Sequence, residues 1–524
     1  MPKFDHLIIG SGINALVCAA ILSQTKRVMV LEREDVVGGT MRTGELAPGF
    51  TYDPLATTFV LFMAGPAHEA LRRDLAREGV TFSTTHAPTG ALMANGRSVV
   101  LARDRAANVA ALNAVHAGDG DRYSDEMAAV ERDAALLFGL FNNRLWSLTT
   151  AGILAREAAR RGPRGVLTVF GDALASSRRH LAGTFSSAEA NALFAPWPLH
   201  AGLDPEQPFS GKMGQIIPFA LERFGAPIVT GGSARMAEAL VRIIVRRRGV
   251  VRTSADVDLI EAGTDGRSVK GVRLADGEEI DVHSVICSVT PTQLYGRLLR
   301  EFPLPPFVER ETRRYQYGRA NMQIHYALDR SVAWANKALG NVQLLHLTDG
   351  VDQVSKACNE ALRGYLPARP TVCVGQPTAA DPSRAPEGKA VLWIQLPECP
   401  TVVKGDAAGE IEVPEDGAWT ADLREAYADR VEAMIEAHVP GFRETVVRRE
   451  AISPADLAAT NINLVGGDPY AGWCGIDQFF TFRPFPQQVN HRTAVPDVYH
   501  IGASTHPGPG LGGVSGFLAA KALR

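Results

Sequence analysis

The hydrophobic pattern opens with a short continuous apolar run, Leu7 to Ile9, the signature of a strand buried on both faces. It runs into Gly10-x-Gly12-x-x-Ala15, after which apolar residues continue as a helix pattern from Ala15 to Leu22. A second apolar run, Val28 to Leu31, ends on Glu32. Strand, glycine turn, helix and strand in this order predict a βαβ unit with a dinucleotide fingerprint at its first turn. Gly10 permits the tight turn, Gly12 lets a pyrophosphate approach the backbone, and Ala15 lets the helix lie against the strand. Free N–H groups and the positive end of the helix dipole then face the phosphates. Glu32 follows Gly12 by 20 positions, where a carboxylate accepts hydrogen bonds from a ribose diol and repels a 2′-phosphate. The Gly38-Gly39 pair extends the pattern, and this agreement outweighs a glycine turn in an ordinary α/β domain.

Beyond this unit, Ala67 to Glu78 reads as helix, and Phe82 to Leu101 as strands turning at Asn95-Gly96. From Ala106 to about Phe194 the pattern is helical; over Tyr123 to Leu140, Met127, Val130, Ala134, Leu137 and Phe138 fall roughly on one face. The α/β character returns at Pro227, with Gly231-Gly232-Ser233 and a helix from Ala234 to about Arg248. Strands follow at Val250 to Thr253 and Val257 to Glu261, then a hairpin (Val269 to Leu274, Glu279 to Val282) and Val285 to Ser288. Ala320 to Leu328, Gln343 to Leu347, Thr371 to Gly375 and Ala390 to Leu396 are further strands, whose alternation predicts a sheet with one covered face. Thr420 to His438 is a helix, and Pro400 to Trp419 a polar surface loop. The chain closes with a strand, Val498 to Ile501, a glycine-rich turn and a helix to Leu523. Gly508, Gly510 and Gly513 spell GxGxxG, but only 11 residues follow, too few for a second βαβ unit. The expected fold class is therefore α/β: a discontinuous nucleotide-binding Rossmann-like domain (1–65, 215–300 and 490–524) and an α+β substrate domain of sheet and helices (66–214 and 301–489).

Composition narrows the partners. A length of 524 residues allows two or three domains. A net charge of −3 gives no reason to expect nucleic-acid binding. Six cysteines without a CxxC pair fit reduced thiols in a cytoplasmic protein better than a disulfide framework or a zinc site, and no metal is expected. No signal-peptide pattern and no run of about twenty apolar residues appears. The arginine-rich stretch Arg156 to Arg164 is either a solvated helix end and loop or a basic contact with anionic lipid or a partner. Peripheral membrane association and oligomerisation both stay open.

The motifs together resemble those of FAD-dependent phytoene desaturase-type oxidoreductases. They are Gly10-x-Gly12-x-Asn14-Ala15, Glu32-Arg33 with Gly38-Gly39, Gly231-Gly232-Ser233, Gly466-Gly467-Asp468, Asp477-Gln478, and Ala503 to Gly508 with Gly512-Gly513. Within that family the sequence is most similar to the pyridine nucleotide-disulfide oxidoreductase domain 2-like branch, over almost the whole chain and without a redox CxxC. The resemblance implies that the nucleotide domain holds FAD. It would place Gly10, Gly12, Ile13, Asn14 and Ala15 by the pyrophosphate, Glu32 by the adenosine ribose, and Arg33, Gly39 and Thr40 along the nucleotide. Val257 would meet the adenine through its backbone, and Gly502 and Ala503 the pyrophosphate and ribityl chain. Gly512, Gly513 and Val514 would offer N–H groups to the flavin's pyrimidine end, where hydride transfer leaves negative charge. The terminal motif has no cysteine, so non-covalent FAD is expected, and Cys474 is a poor covalent anchor.

With a flavin carrying the hard step, no Ser-His-Asp or zinc constellation is required. His506, in the turn before the terminal helix, and Asp477, before Phe479-Phe480-x-Phe482, are the candidate catalytic residues. Each has a plain structural alternative: a hydrogen bond within the turn for His506, a turn cap for Asp477. The expected activity is an FAD-dependent dehydrogenase or desaturase moving hydride from an apolar, isoprenoid or alicyclic, substrate to flavin N5. A flavin amine oxidase ranks lower, because aromatic residues are only 7% and Lys521 lies beyond the terminal motif. A redox-neutral flavin isomerase and a non-catalytic FAD-containing partner subunit complete the alternatives. Without a second nucleotide domain, electrons leave to oxygen, a quinone or a carrier protein.

Overall fold

The computed structural model describes residues 4–55 and 57–524; residues 1–3 and 56, inside the first expected domain range, lie outside the described residues. Five parallel strands form one sheet, in the order Val498–His500, Val285–Cys287, His6–Ile9, Val28–Leu31, Val250–Arg252. Segments far apart in the chain thus alternate within one sheet. The central strands His6–Ile9 and Val28–Leu31 are buried at every position, as parallel strands covered on both faces must be. The fingerprint helix, Ile13–Leu22, is buried at all ten positions, which explains its nearly unbroken apolar pattern.

The terminal helix, Val514–Leu523, packs on that fingerprint helix and closes the chain onto its own beginning. Gly516 is the contact point: its N–H donates to Asn14 Oδ1 at 3.2 Å, and an added Cβ would lie 1.8 Å from the Asn14 carbonyl oxygen. Rotating a side chain cannot relieve an overlap between Cβ and backbone. Gly516→Ala is expected to force the helices apart at a cost of about 1–3 kcal/mol. Thermal melting checks this, and an unchanged midpoint would refute the contact.

A second sheet of seven strands runs in the order Val446–Ile452, Ala320–Leu328, Ala390–Cys399, Val372–Gly375, Val342–Leu347, Ala87–Leu92, Ser98–Leu101. Only the pairing of Val342–Leu347 with Ala87–Leu92 is parallel. The expectation of a single covered face is corrected here, because all nine residues of Ala320–Leu328 are buried. Met322, Ile324, Tyr326 and Leu328 join a core with Tyr427, Val431 and Ile435 of the helix Ala421–His438. The alternate residue Gln323 lines a cleft shared with the parallel sheet, and His325 Nε2 hydrogen-bonds the Pro54 carbonyl at 3.3 Å. Polar side chains on one face of a strand read as solvent-facing in sequence; here they meet the other half of the protein.

Between the two sheets in sequence lies a helical block, Arg105–Val115 through Ala188–Phe194. The arginine-rich stretch falls inside its longest helix, Leu148–Ala173, rather than at a helix end. That helix breaks at Gly162, whose φ of 75° fits the left-handed region ahead of Pro163. Arg160 and Arg161 pair with Glu157, and Arg161 also with Asp133, so half of this basic cluster is internally neutralised.

Candidate active site

The cleft opens beyond the carboxyl ends of the parallel strands, the position such sheets reserve for ligands. Its two fingerprint glycines are required for different reasons. Gly10 has φ 91°, and a Cβ there would sit 3.2 Å from the Ser288 carbonyl oxygen, so the turn itself demands glycine. Gly12 has φ −63°, which any residue adopts, and no atom lies within 4 Å of an added Cβ. The fold itself leaves that space open, as a site for a ligand close to the backbone requires. Gly39 closes the far side, with an added Cβ 3.1 Å from Gly12 Cα.

Glu32 lines the same cleft and is only 7% exposed. Its Oε2 accepts from Ser11 N–H at 2.9 Å and Ser11 Oγ–H at 2.6 Å, and its Oε1 from Glu34 N–H at 3.0 Å. Ser11 Oγ in turn accepts from Gly38 N–H at 2.9 Å. This one small hydroxyl therefore fastens the fingerprint loop, the acidic residue and the Gly38-Gly39 loop together. Its only signal in the sequence is a hydroxyl residue between the two glycines, which does not by itself mark a site residue.

Ile13, Asn14, Arg33, Thr40, Val257, Gly502 and Ala503 also line the cleft. The Val257 carbonyl already accepts from Arg297 Nη1 at 2.9 Å, so its hydrogen-bonding capacity toward a ligand is partly used. Ala15 is fully buried beneath the turn and supports it from behind. The terminal turn differs from expectation. Gly510 and Leu511 face the cleft, whereas Gly512, Gly513 and Val514 are not among its walls. Gly512 N–H is committed to the Gly510 carbonyl at 2.9 Å, and a Cβ at Gly513 would meet Val17 Cγ2 at 2.8 Å. Close packing on the fingerprint helix is what requires glycine at 513.

Neither candidate catalytic residue reaches the cleft. Asp477 is exposed and accepts from Trp473 Nε1–H at 3.2 Å. His506 is buried in a separate crevice with Arg144, Trp146 and Phe480, and its Nε2 donates to the Asn143 carbonyl at 3.1 Å. The ring fastens the terminal turn to the helical block. Lys521 is exposed in the terminal helix. Cys474 is buried outside the cleft, and burial pushes its thiol up to about 11.

Three buried histidines surround this terminal segment. His491 Nε2–H donates to the His506 carbonyl at 3.1 Å, and His500 Nε2–H to the Val289 carbonyl at 2.7 Å. Burial holds His491 and His500 down at about 4 and His506 at about 3, against an ordinary 6.5. All three are neutral in the native fold, while the unfolded chain takes up their protons below 6.5. Their stabilisation is therefore complete above about pH 6.5 and is lost as pH falls toward 4. Stability is expected to fall by up to about 4 kcal/mol per pH unit across that window, at about 1.36 kcal/mol per proton. Denaturant midpoints measured from pH 7 to 4 check it; a flat profile would sink the assignment of neutral, buried rings.

The middle motif Gly231-Gly232-Ser233 belongs to a buried ionic knot. Arg384, 1% exposed, donates from Nη1 to Asp53 Oδ2 at 2.8 Å, from Nε to Asp381 Oδ2 at 3.3 Å, and from Nη2 to the Val229 carbonyl at 2.9 Å. Asp53 Oδ1 accepts from Ser233 N–H at 2.9 Å, and Asp381 Oδ2 from Gly231 N–H at 2.7 Å. The motif is thus clamped from two sides. An arginine in a polar loop gave no sign in sequence that it would be among the largest fully buried side chains.

The remaining wall of the cleft is of another character. Leu55, Leu457, Ile462, Leu464, Pro469, Ala471 and Leu511 line it, interleaved with Asn461 and Asn463 and with Gln323 held by Trp393 Nε1–H. The charged cleft residues, Glu32, Arg33, Glu34, Arg42, Asp256 and Arg297, all come from the nucleotide side. Apart from Gly466-Gly467-Asp468, the 457–471 wall carries no sequence signal, because it is built from a short helix and turns without a sustained periodic pattern.

A cradle that a Cβ would fill, a helix N-terminus and a fixed carboxylate define a dinucleotide-type cleft. The family model described as flavin containing amine oxidoreductase matches residues 16–449, and the chain belongs to this family. It is an FAD-dependent oxidoreductase related to the phytoene desaturases. Pyridine nucleotide-disulfide oxidoreductase domain-containing protein 2 of Mus musculus is 27% identical, covering 100% of this chain and 93% of the mouse protein. A limonene dehydrogenase subunit of Castellaniella defragrans is 23% identical over 100% and 95% of the two chains. The zeta-carotene-forming phytoene desaturase of Myxococcus xanthus is 26% identical over 96% and 90%. Among solved structures, an oxidoreductase from Methanosarcina mazei superposes with TM-score 0.60 at 16% identity, covering 99% of this chain and 100% of that one. Putrescine oxidase bound to putrescine does so with TM-score 0.60 at 14% identity, over 99% and 98%.

Proposed function

We propose that the protein is a dehydrogenase or desaturase that removes hydride from an apolar, isoprenoid or alicyclic, substrate. The observation that carries this reading is the apolar wall from Leu55, Leu457, Ile462, Leu464, Pro469, Ala471 and Leu511, which offers no titratable side chain to a substrate. An ammonium group would be left there without a carboxylate partner, which is costly in a desolvated site and disfavours an amine substrate. The names of the limonene and carotene relatives point the same way. Bound FAD supplies the hydride acceptor. The protein's own residues do the positioning. The Gly10–Asn14 turn and the N-terminus of the helix Ile13–Leu22 hold the pyrophosphate, and Glu32, fixed by Ser11, takes the ribose diol. The apolar wall orients a hydrocarbon, and Gln323, Asn461 and Asn463 supply polar contacts beside it. FAD is held non-covalently on this reading, since no cysteine is among the described residues that line the cleft.

We also propose the domain division at 1–65, 215–300 and 490–524 against 66–214 and 301–489, which the interleaved parallel sheet supports. Reduced cofactor would return electrons to oxygen, a quinone or a carrier protein. Similarity to one component of a limonene dehydrogenase favours a carrier or partner protein. The test is anaerobic mixing of the FAD-loaded protein with monoterpenes, cyclic alkenes and, separately, alkylamines, reading the flavin's visible absorbance. Bleaching by a terpenoid or alicyclic compound is expected. Bleaching by amines alone would overturn the proposal, and the absence of any bleaching would favour a non-catalytic role.

A further inference from the structure

A second cavity, of about 870 Å³, lies within the helical block and shares no lining residue with the FAD cleft. Arg132, Arg161, Arg179 and Lys212 bring four cations to its walls, and Asp133 and Asp172 two carboxylates. Arg161 is already committed to Asp133 and Glu157, and the His180 ring meets the Glu126 carboxylate at 3.0 Å. The guanidinium groups of Arg132 and Arg179 and the ammonium of Lys212 have no hydrogen bond or ion pair among the described residues. Lys212 is only 8% exposed. Burial lowers its pKa, and the carboxylates of Asp133, Glu126 and Asp172 oppose this only through space. Three unpartnered cations thus face Asp172, with the Glu126 carboxylate nearby.

The backbone adds to this imbalance. Lys212 lies in the first turn of the helix Ser210–Phe224, which has no side-chain cap at its N-cap residue, Phe209. The Lys212 N–H has no acceptor among the described residues. The positive end of this 15-residue helix therefore reinforces the lysine. The Lys212 stem is buried and its ammonium opens into the cavity without a partner among the described residues, where an anion would pair with it.

The rim has a second character. Leu167, Phe170 and Leu174 follow at helical spacing on and just after the helix Leu148–Ala173 and are 69%, 42% and 51% exposed. Leu174 itself lines the cavity, so the basic floor is continuous with an apolar stripe open to solvent.

We propose that this cleft binds the phosphate group of an amphipathic ligand, whose hydrocarbon part lies along Leu167, Phe170 and Leu174. A free alkyl or isoprenoid phosphate and the headgroup of a membrane phospholipid present the same chemistry, and the two sources separate experimentally. The probe is dodecyl phosphate below its micelle concentration, titrated into FAD-loaded protein by calorimetry, with inorganic phosphate alongside. One saturable site is expected for dodecyl phosphate, with weaker binding of inorganic phosphate. Lys212→Met and Arg179→Gln are each expected to weaken dodecyl phosphate at least about tenfold while FAD content and melting temperature hold. Phe170→Ser should weaken dodecyl phosphate and leave inorganic phosphate unchanged. If Lys212→Met loses FAD or its fold, the exposed Arg179→Gln variant decides alone. Co-sedimentation with phosphatidylcholine vesicles containing phosphatidic acid, lost in Arg179→Gln, assigns the site to membrane lipid. Saturable dodecyl phosphate binding without co-sedimentation assigns it to a free amphiphile. Absence of saturable dodecyl phosphate binding, or binding untouched by both substitutions, overturns the proposal.

Discussion

Replacing Gly12 with valine will give a folded protein that no longer holds FAD. The backbone at Gly12, with φ −63°, accommodates any side chain, and an added Cβ meets nothing within 4 Å. Folding therefore has no stake in the substitution beyond a few tenths of a kcal/mol. The cofactor does: the added carbon atoms occupy the space at the N-terminus of the fingerprint helix where the pyrophosphate approaches the backbone. A loss of affinity on the order of a thousandfold, about 4 kcal/mol, is expected. The protein should elute colourless, with a melting temperature matching that of the FAD-stripped parent. Gly10→Val gives the contrasting result. At φ 91° and 3.2 Å from the Ser288 carbonyl oxygen, its Cβ strains the empty fold as well. Retention of FAD by Gly12→Val would refute the assigned position of the pyrophosphate.

Arg384→Met should cost about 3–5 kcal/mol of stability, because it leaves two buried carboxylates, Asp53 and Asp381, without their shared cation. The methionine keeps most of the volume, so the loss reports charge and hydrogen bonding rather than a cavity. Arg384→Lys will not rescue it, since one ammonium cannot reach both carboxylates and the Val229 carbonyl in the fork geometry that the guanidinium provides. The consequence extends to the cofactor, because Asp53 and Asp381 hold the N–H groups of Ser233 and Gly231 at the start of the helix Ala234–Arg246, which packs against the fingerprint helix. Although burial works against it, hydrogen bonds from Gly231 N–H and Ser383 and the nearby Arg384 charge hold the Asp381 carboxyl below its ordinary range. Its contribution is thus present at neutral pH and lost as pH falls through that lowered value. Urea unfolding of the parent and of both variants at neutral pH measures the effect. A loss below about 1 kcal/mol would show that water replaces the arginine and that the knot is not closed.

The βαβ unit was legible because each of its residues is constrained locally: a turn at Gly10, an open backbone at Gly12, a carboxylate at Glu32. The nearly unbroken apolar helix Ile13–Leu22 likewise announced burial on all sides, and the structure covers it with the terminal helix and the helix Ala234–Arg246. Local signals failed where a residue's role depends on a distant partner. His506 stood in the right turn for a flavin contact, yet its ring bonds the Asn143 carbonyl, 363 positions away in the chain. That position 513 must be glycine to make room for Val17 was likewise not legible in the sequence. Asn321, Gln323 and His325 looked like the wet face of a strand and are buried.

The sequence by itself determined the cofactor class, because a nucleotide fingerprint is a short-range arrangement of turn, helix dipole and carboxylate. The return of apolar strands at 250–287 and 498–501 also pointed to a parallel sheet assembled from separated segments, which the structure shows. Only the tertiary structure decided which groups surround the reactive end. The apolar wall at 457–471, the Arg384 knot and the basic cavity at Lys212 each join side chains from remote segments. Their burial and charge balance exist only once those segments meet, and no local periodicity encodes that meeting.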